Sequence, residues 1–245
     1  ARAEDLRAVC EIAGRHGLVV IADEIYAELC HDGNAPSATR YLPERTVMTS
    51  GLSKSMALGG WRIGFARVPG GPWGDRLLQN LTGVASEVWS SLAAPMQAVA
   101  AHILRDPPEA LAHIERARGL HATVATAVHS EFTAAGAVCR IPEAGFYLYP
   151  DFEPVRAVLT AQGIGTGAEL AGALLERHGV GVLAGEAFGD AREGLRARVA
   201  TSLLYGESDA QRQQSLESAD PLSLPWIQGS LEHLRGALSA LTAGA

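Results

Sequence analysis

The sequence has few cysteines and no long apolar run, and each shortage excludes a class of protein. Its 245 residues contain three cysteines, Cys10, Cys30 and Cys139, which lie far apart and form no Cys-x-x-Cys pair. They predict neither a disulfide framework nor a zinc knuckle, and a reducing cytoplasm is the expected setting. The apolar run at residues 18–22 is far shorter than the roughly 18 residues that a membrane-spanning helix needs.

Positive charge is also scarce. The chain has 20 Lys and Arg against 27 Asp and Glu, so its formal net charge is −7. This balance argues against the clustered basic face that nucleic acids or anionic membranes require, and we expect neither as a partner. Small anionic ligands remain compatible, since a pocket needs only one or two arginines. Nearly all of the positive charge is arginine, so Lys54, in a loop rich in Gly and Ser, stands out.

The histidines do not indicate a metal site. His113, His121 and His129 recur every eight residues, and a helix turns each of them about 80° further round than the one before. Since they do not share a face, we interpret them as surface residues.

Helix and strand patterns predict two domains. An amphipathic helix over residues 3–16 precedes an apolar strand over 18–22, which we expect to be buried on both faces as in a parallel sheet. A long Ala-rich helix over residues 108–135 contains the expected boundary, giving domains 1–125 and 126–245, the second a smaller α+β unit. Further strands are predicted at 46–49, 63–67, 138–141, 146–149, 180–183 and 196–203, further helices at 74–92, 96–105, 154–162, 167–178 and 224–241, and a loose polar stretch at 207–223.

Three segments carry candidate chemistry. Asp23 follows the apolar strand, at the carboxyl end where ligands gather in open α/β sheets. Lys54 has an amine that can form a Schiff base once it loses its proton. Arg196 and Arg198 point the same way on a predicted strand. Taken singly, each has a structural interpretation: carboxylates after a strand cap turns, and an isolated arginine or lysine is usually a surface charge.

Taken together and in order, the segments resemble the fold-type I pyridoxal-phosphate (PLP) enzymes, specifically the class I and II aminotransferases. Asp23 and Tyr26 match an Asp-x-x-Tyr pattern, Ser53 and Lys54 match a Ser-Lys pair, and Arg62 stands eight residues after the lysine. Residues 142–147 are similar to the family's Pro-x-Gly-Gly-Phe-Tyr turn, and residues 183–189 to its Pro-Gly-x-x-Phe-Gly loop. The resemblance implies an α/β fold: part of a large domain with a mostly parallel sheet and helices, then a smaller α+β domain.

The resemblance also implies a cofactor and a role for each site residue. PLP would be bound through Lys54 as a Schiff base, with Asp23 at the pyridine nitrogen and Tyr26 at the phenolic oxygen. Lys54 would then transfer protons as the general base and acid. Phosphate binding falls to Arg62, assisted by Ser53 and Ser55. Arg198 matches the arginine that receives the substrate carboxylate, with Arg196 as the competing candidate. We interpret Trp61, Phe146 and Phe188 as packing residues.

The function implied is transfer of an amino group between an amino acid and a 2-oxo acid by a ping-pong route in a homodimer. A C–S lyase or a cyclopropane-forming synthase would use the same Asp23, Lys54 and Arg62. A non-catalytic PLP-sensing or dimerisation module of a transcription regulator is a further alternative. In the family that the chain resembles, acid-specific members often add a second cationic residue from the region after the cofactor lysine, contributed across the dimer. Between Leu77 and Leu104 the chain has no Lys or Arg, so the resemblance disfavours a dicarboxylic amino acid and favours a neutral or aromatic one.

Two features depart from the family pattern. Gly51 stands where many members have a serine, three residues before the lysine, whose hydroxyl meets the phosphate. The family also has a preceding segment of about 100–150 residues with a glycine loop, a stacking aromatic and an Asn-Pro motif, and none of these is in the sequence. We therefore expect the chain to be the C-terminal part of a longer enzyme, with an inactive natural truncation as the alternative, and to bind PLP weakly or not at all by itself.

Overall fold

The computed structural model describes residues 2–243. They form two compact units, divided between Arg118 and Gly119. The division lies within helix α5 (Pro108–Ala134), and the domain boundary predicted between residues 125 and 126 falls in the same helix and stays a prediction.

The first unit contains a three-stranded sheet. Its strands are β1 (Val20–Asp23), β2 (Thr46–Gly51) and β3 (Gly64–Arg67), and its other helices are α1 (Ala3–Arg15), α2 (Leu52–Ser55), α3 (Pro72–Val88) and α4 (Ala94–Ile103). The strand order is β1-β2-β3, with β1 parallel to β2 and β2 antiparallel to β3. A small core forms where Cys10 and Ala13 of α1 meet Ala38 and Leu42, with Val20 and Ala22 packed against them.

Strand β1 is not buried on both faces, and that prediction was wrong. Val20 and Ala22 are half-buried on the side of α1, whereas Ile21 is 74% exposed. An unbroken apolar run indicates that both faces suit burial, but it does not specify what covers each face. The side of β1 that carries Ile21 and Asp23 is therefore open in the described residues.

The second unit contains an antiparallel sheet and the larger core. Its strands are β4 (Tyr147–Leu148), β5 (Leu183–Ala184) and β6 (Ala197–Ala200), and its further helices are α6 (Arg156–Ala161), α7 (Gly167–His178), α8 (Asp209–Glu217) and α9 (Pro225–Thr242). The strand order is β4-β6-β5, and both pairings are antiparallel. Phe132 of α5, Phe152, Leu174 of α7 and Leu238 of α9 are almost fully buried members of one core. An α/β unit followed by an α+β unit confirms the predicted fold class.

Several predicted elements are shorter than expected or of another kind. Of residues 138–141, only Val138 forms a β-bridge, with Asp151, and of residues 180–183 only Leu183 lies in a strand. The stretch 207–223 is not loose throughout, because it contains α8. The signal for that helix is Ser208 with Gln211, which together form a capping box at its start.

His121 is not a surface residue, so that interpretation was wrong. It is 8% exposed, and its Nδ1 lies 2.6 Å from the hydroxyl of Tyr205 in a buried hydrogen bond. Among residues 2–243, no group of three or more His, Cys, Asp or Glu side chains is arranged to hold a metal ion. In the same part of the chain, no helix is both long and apolar enough to cross a membrane.

Candidate active site

The sheet of the first unit brings three predicted site residues to one end. Strands β1 and β2 are parallel, so Asp23 and Gly51 both lie at carboxyl ends on the same edge. The antiparallel β3 begins at that edge, where Gly64 pairs with Gly51. Lys54 follows β2 by three residues and Arg62 precedes β3 by two, so the topology places both with Asp23.

The two neighbouring carboxylates Asp23 and Glu24 have different surroundings. Glu24 Oε1 accepts hydrogen bonds from Ser37 Oγ at 2.7 Å and from the Ala38 backbone N–H at 3.3 Å, so it fixes the following loop. Asp23 is exposed, and its carboxylate accepts one long hydrogen bond, 3.3 Å from the Ile25 backbone N–H. Asp23 therefore retains acceptor capacity for a ligand, whereas Glu24 has a structural role.

Lys54 and Tyr26 lie together. Lys54 is the only lysine of the 245 residues, and it is half-buried on the single turn of α2. Its Nζ lies 5.6 Å from the centre of the Tyr26 ring, within the range of a cation–π contact. Helix α2 contacts the turn over residues 27–29, which follows Tyr26. The structure thus joins the amine to the Asp-x-x-Tyr segment.

The glycine at position 51 has a steric cause. A Cβ built on Gly51 would lie 2.7 Å from the carbonyl oxygen of Ile63, closer than carbon and oxygen tolerate. A serine there would force β2 and β3 apart.

Of the two serines beside Lys54, Ser53 is half-buried and open to a ligand, whereas Ser55 is 1% exposed and its hydroxyl has no hydrogen-bond partner in the described residues.

Arg62 has a left-handed backbone, with φ 56° and ψ 42°, a conformation that few residues other than glycine adopt. Its Nη1 donates a hydrogen bond to the Gly59 carbonyl at 2.8 Å. In residues 2–243 this is its one hydrogen bond, and the side chain is exposed. Most of the guanidinium donors thus remain available for an anion.

In the second unit, Arg196 is bound to carboxylates. Its Nε donates to Asp151 Oδ2 at 2.7 Å, and its Nη1 lies 3.5 Å from Asp190 Oδ1. The Tyr149 hydroxyl donates to Asp190 Oδ2 at 2.6 Å, and partial burial together with this bond to a carboxylate raises the pKa of Tyr149. Arg196 therefore belongs to a closed polar network.

Arg198 has a different environment. Its Cζ lies 4.7 Å from the centre of the Tyr147 ring and 4.4 Å from that of Phe188. Within the part of the chain that the structure describes, its guanidinium makes no hydrogen bond or ion pair. Of Arg196 and Arg198, Arg198 is the one whose N–H groups are not paired with a carboxylate of the described residues.

The contacts of Phe188 and Tyr147 with Arg198 were not predicted from the sequence. Phe146 is buried, as a packing residue should be, but Phe188 is 47% exposed and Trp61 is 46% exposed. Phe188 lies over a guanidinium rather than in the core. The signal in the sequence is weak, because only the pairing of β6 with β4 and β5 shows which aromatic residues flank Arg198.

Comparison with known proteins shows the family to which the chain belongs. The chain matches the family described as aminotransferase class I and II over residues 1–203. It is 31% identical over 215 residues to the aspartate aminotransferase of Geobacillus stearothermophilus, covering 86% of this chain and 52% of that protein. It is 33% identical over 192 residues to the aspartate/prephenate aminotransferase of Cereibacter sphaeroides, covering 76% and 46%.

Solved structures share the fold. The aspartate aminotransferase of Thermus thermophilus with maleate has a TM-score of 0.74 at 23% identity, over 96% of this chain and 52% of that one. The N-succinyldiaminopimelate aminotransferase of Mycobacterium tuberculosis has a TM-score of 0.72 at 23% identity, over 98% and 54%. The chain therefore spans about half the length of the curated relatives it matches.

Proposed function

Because the chain belongs to the class I and II aminotransferase family, we propose that the protein is a PLP-dependent aminotransferase. It would move an amino group between an amino acid and a 2-oxo acid. The observation that carries the proposal is the position of the only lysine, whose Nζ lies 5.6 Å from the Tyr26 ring at the sheet end that also holds Asp23 and Arg62.

The residues of the first unit fit PLP. When bound, PLP supplies an aldehyde that combines with amines and a ring that accepts electron density. Lys54 is the one side-chain amine in the chain, and Asp23 has free acceptor capacity with which to keep a pyridine nitrogen protonated. Tyr26 would donate to the phenolic oxygen. Arg62, with Ser53, would hold the phosphate, a task suited to a planar set of N–H donors.

The chain's own groups would then manage the protons and the substrate. Lys54 Nζ would take the proton from the substrate Cα as a general base and deliver it, as a general acid, to the carbon that the aldehyde group supplies, which is the proton shift that amino transfer requires. Arg198 would bind the substrate carboxylate and so fix the direction of the Cα–H bond. Arg196 is the poorer candidate, because Asp151 and Asp190 already use its donors.

We also propose a homodimer that works in the cytoplasm. Helix α3 supports self-association, since its exposed apolar residues recur along one face: Leu78, Leu81, Val84 and Val88. For the substrate side chain we keep the neutral or aromatic preference predicted from residues 77–104. Comparing transfer from L-alanine, L-phenylalanine and L-aspartate would decide it, and product analysis separates transfer from elimination.

Borohydride trapping at Lys54 tests the proposal. The 245-residue chain is incubated with excess PLP, reduced, digested and mapped, and we expect a pyridoxyl group on Lys54. The excess compensates for the weak binding expected of this chain. Pyridoxal, which lacks the phosphate, should label Lys54 less because it cannot use Arg62.

The controls are the Lys54→Arg chain, which retains only the N-terminal amine, and the urea-unfolded chain, which retains the lysine without the site. Equal labelling of Lys54 in the folded and unfolded chains would contradict the proposed function.

A further inference from the structure

The sheet of the second unit places aromatic rings on both sides of Arg198. Strand β6 is central, and its Arg198 pairs with Leu183 of β5. On the other side, Tyr147 of β4 pairs with Ala200, which is two residues from Arg198 on the same face of β6. Phe188 lies just beyond β5. The two rings therefore approach the guanidinium from the two flanking strands.

Both rings contact the guanidinium of Arg198 without giving it a carboxylate or carbonyl acceptor. The ring centres lie 4.7 Å and 4.4 Å from Arg198 Cζ, inside the distance at which an aromatic ring attracts a cation. In the described residues the N–H donors of Arg198 therefore have no oxygen or nitrogen acceptor. A planar fork of free donors matches a carboxylate with two parallel hydrogen bonds.

Arg196, which immediately precedes β6, shows the alternative. Asp151 forms an isolated β-bridge with Arg196, and its carboxylate accepts a hydrogen bond from Arg196 Nε at 2.7 Å. Asp190 Oδ1 lies 3.5 Å from Arg196 Nη1, and Asp190 Oδ2 accepts a hydrogen bond from the Tyr149 hydroxyl. Arg196 is thus paired with two carboxylates and Arg198 with two aromatic rings, so Arg198 is the better candidate for an incoming carboxylate.

We propose that Tyr147 and Phe188 form an aromatic clamp that positions Arg198 to receive a substrate carboxylate. The clamp rests on the proposed function, which supplies an amino acid or a 2-oxo acid as the ligand. A cavity of about 410 Å³ beside Arg198 provides room for it. Arg140 lines the same cavity, but it is paired with Glu143 at 3.8 Å and its side chain is 79% exposed.

The experiment measures the Arg198 side chain directly by NMR and uses pyruvate as the probe, with the uncharged pyruvamide as its control. The Nε–H signal of Arg198, assigned by its loss in Arg198→Lys, should be shifted by the two rings in the wild type. Phe188→Leu and Tyr147→Leu should each reduce that shift and weaken pyruvate binding about two- to fivefold. Phe188→Tyr, which keeps a ring, should bind as the wild type does.

Leu183→Ala is the matched control, because it removes an apolar side chain from the residue paired with Arg198 without removing a ring. Its pyruvate affinity should stay unchanged. The clamp is overturned if Leu183→Ala weakens binding as much as Phe188→Leu does, if neither leucine variant changes binding, or if the wild type binds no pyruvate. Binding lost in Arg140→Gln and kept in Arg198→Lys would also overturn it.

The clamp and the proposed function fail separately. Borohydride trapping reports on Lys54 in the first unit, whereas the NMR shift and the pyruvate titration report on Arg198 in the second. A labelled Lys54 with no aromatic dependence at Arg198 would contradict the clamp alone. Equal labelling of Lys54 in the folded and unfolded chains, together with ring-dependent pyruvate binding, would contradict the proposed cofactor and leave the clamp standing.

Discussion

Neighbouring residues of the same charge have divided roles in this protein. Glu24 is bound by Ser37 and by the backbone of Ala38, while the carboxylate of Asp23 is exposed. In the second unit, Arg196 is paired with carboxylates and Arg198 is not. A side chain whose hydrogen bonds are satisfied within the fold has little to offer a ligand, so this contrast selects the candidate site residues.

Gly51 has no room for a side chain. A Cβ at this position would lie 2.7 Å from the Ile63 carbonyl oxygen, so Gly51→Ala must shift β2 or β3. We expect a loss of about 1–3 kcal/mol in the free energy of unfolding, as for overpacked sites. Urea unfolding measures it. Gly60→Ala is the matched control, because a Cβ there has nothing within 4 Å; an equal loss in both variants would contradict the steric explanation.

The buried phenol of Tyr205 should make the stability of the protein depend on pH in the alkaline range. Burial raises the pKa of Tyr205, so its phenol stays protonated in the folded chain above about pH 10, where an unfolded tyrosine ionises. Its contribution to stability is therefore complete below that pH and is lost as the pH rises towards the folded pKa. Between about pH 8 and about pH 11, a range that spans the unperturbed tyrosine pKa of about 10, the free energy of unfolding should fall more steeply for the wild type than for Tyr205→Phe.

At neutral pH the same variant should lose about 1–2 kcal/mol of unfolding free energy, because it removes the 2.6 Å hydrogen bond to His121. Equal slopes at alkaline pH in the two proteins would show that Tyr205 does not cause the pH dependence.

At the scale of elements, some features of the fold are predictable from local chemistry. Helix α7 (Gly167–His178) occupies the residues predicted for it, because its apolar spacing is reinforced by Thr166 with Glu169 at the start and by Gly179 in a left-handed conformation at the end. Helix α8 was missed because an exposed polar helix has no apolar period.

The candidate site divides in the same way. Asp23, Tyr26, Lys54 and Arg62 were predicted from their order and spacing, and the sheet places them at one end. The exposed face of β1 and the rings over Arg198 depend on which strands pair and on what covers them. Neither property is encoded in a local pattern, so the sequence alone does not predict them.

The capping box of α7 gives a prediction at this scale. Thr166 Oγ1 accepts a hydrogen bond from the Glu169 backbone N–H at 3.2 Å, and the Glu169 carboxylate accepts one from the Thr166 backbone N–H at 3.0 Å. Thr166→Ala should therefore lower the unfolding free energy by about 1 kcal/mol. Thr160→Ala, at an exposed position of α6, is the control and should change little; similar losses in both variants would rule out the cap as the cause.

At the scale of the whole molecule, the two units differ in their cores. The core of the second unit joins α5, α7 and α9 around the sheet, whereas the buried cluster against α1 in the first unit has four members: Cys10, Ala13, Ala38 and Leu42. Regions with fewer buried apolar contacts unfold locally more often. We therefore expect local unfolding to be more frequent in the first unit, which contains the candidate PLP site.

Hydrogen exchange tests this difference. We expect the amides of β1 and β2 to exchange faster than those of α9 at the same pH. Leu238→Ala, a 1% exposed position of α9, should reduce protection in the second unit by about 2–5 kcal/mol. Protection in β1 and β2 equal to that in α9 of the wild type would contradict the ranking.

The single lysine also gives the candidate site a proteolytic reporter. A protease that cuts only after lysine has one target in the 245 residues, the bond between Lys54 and Ser55. Ser55 is 1% exposed and both residues lie in α2, so cleavage requires that turn to open. The rate at which two fragments appear therefore measures the opening of the site, and a group joined to the Lys54 amine abolishes the cut.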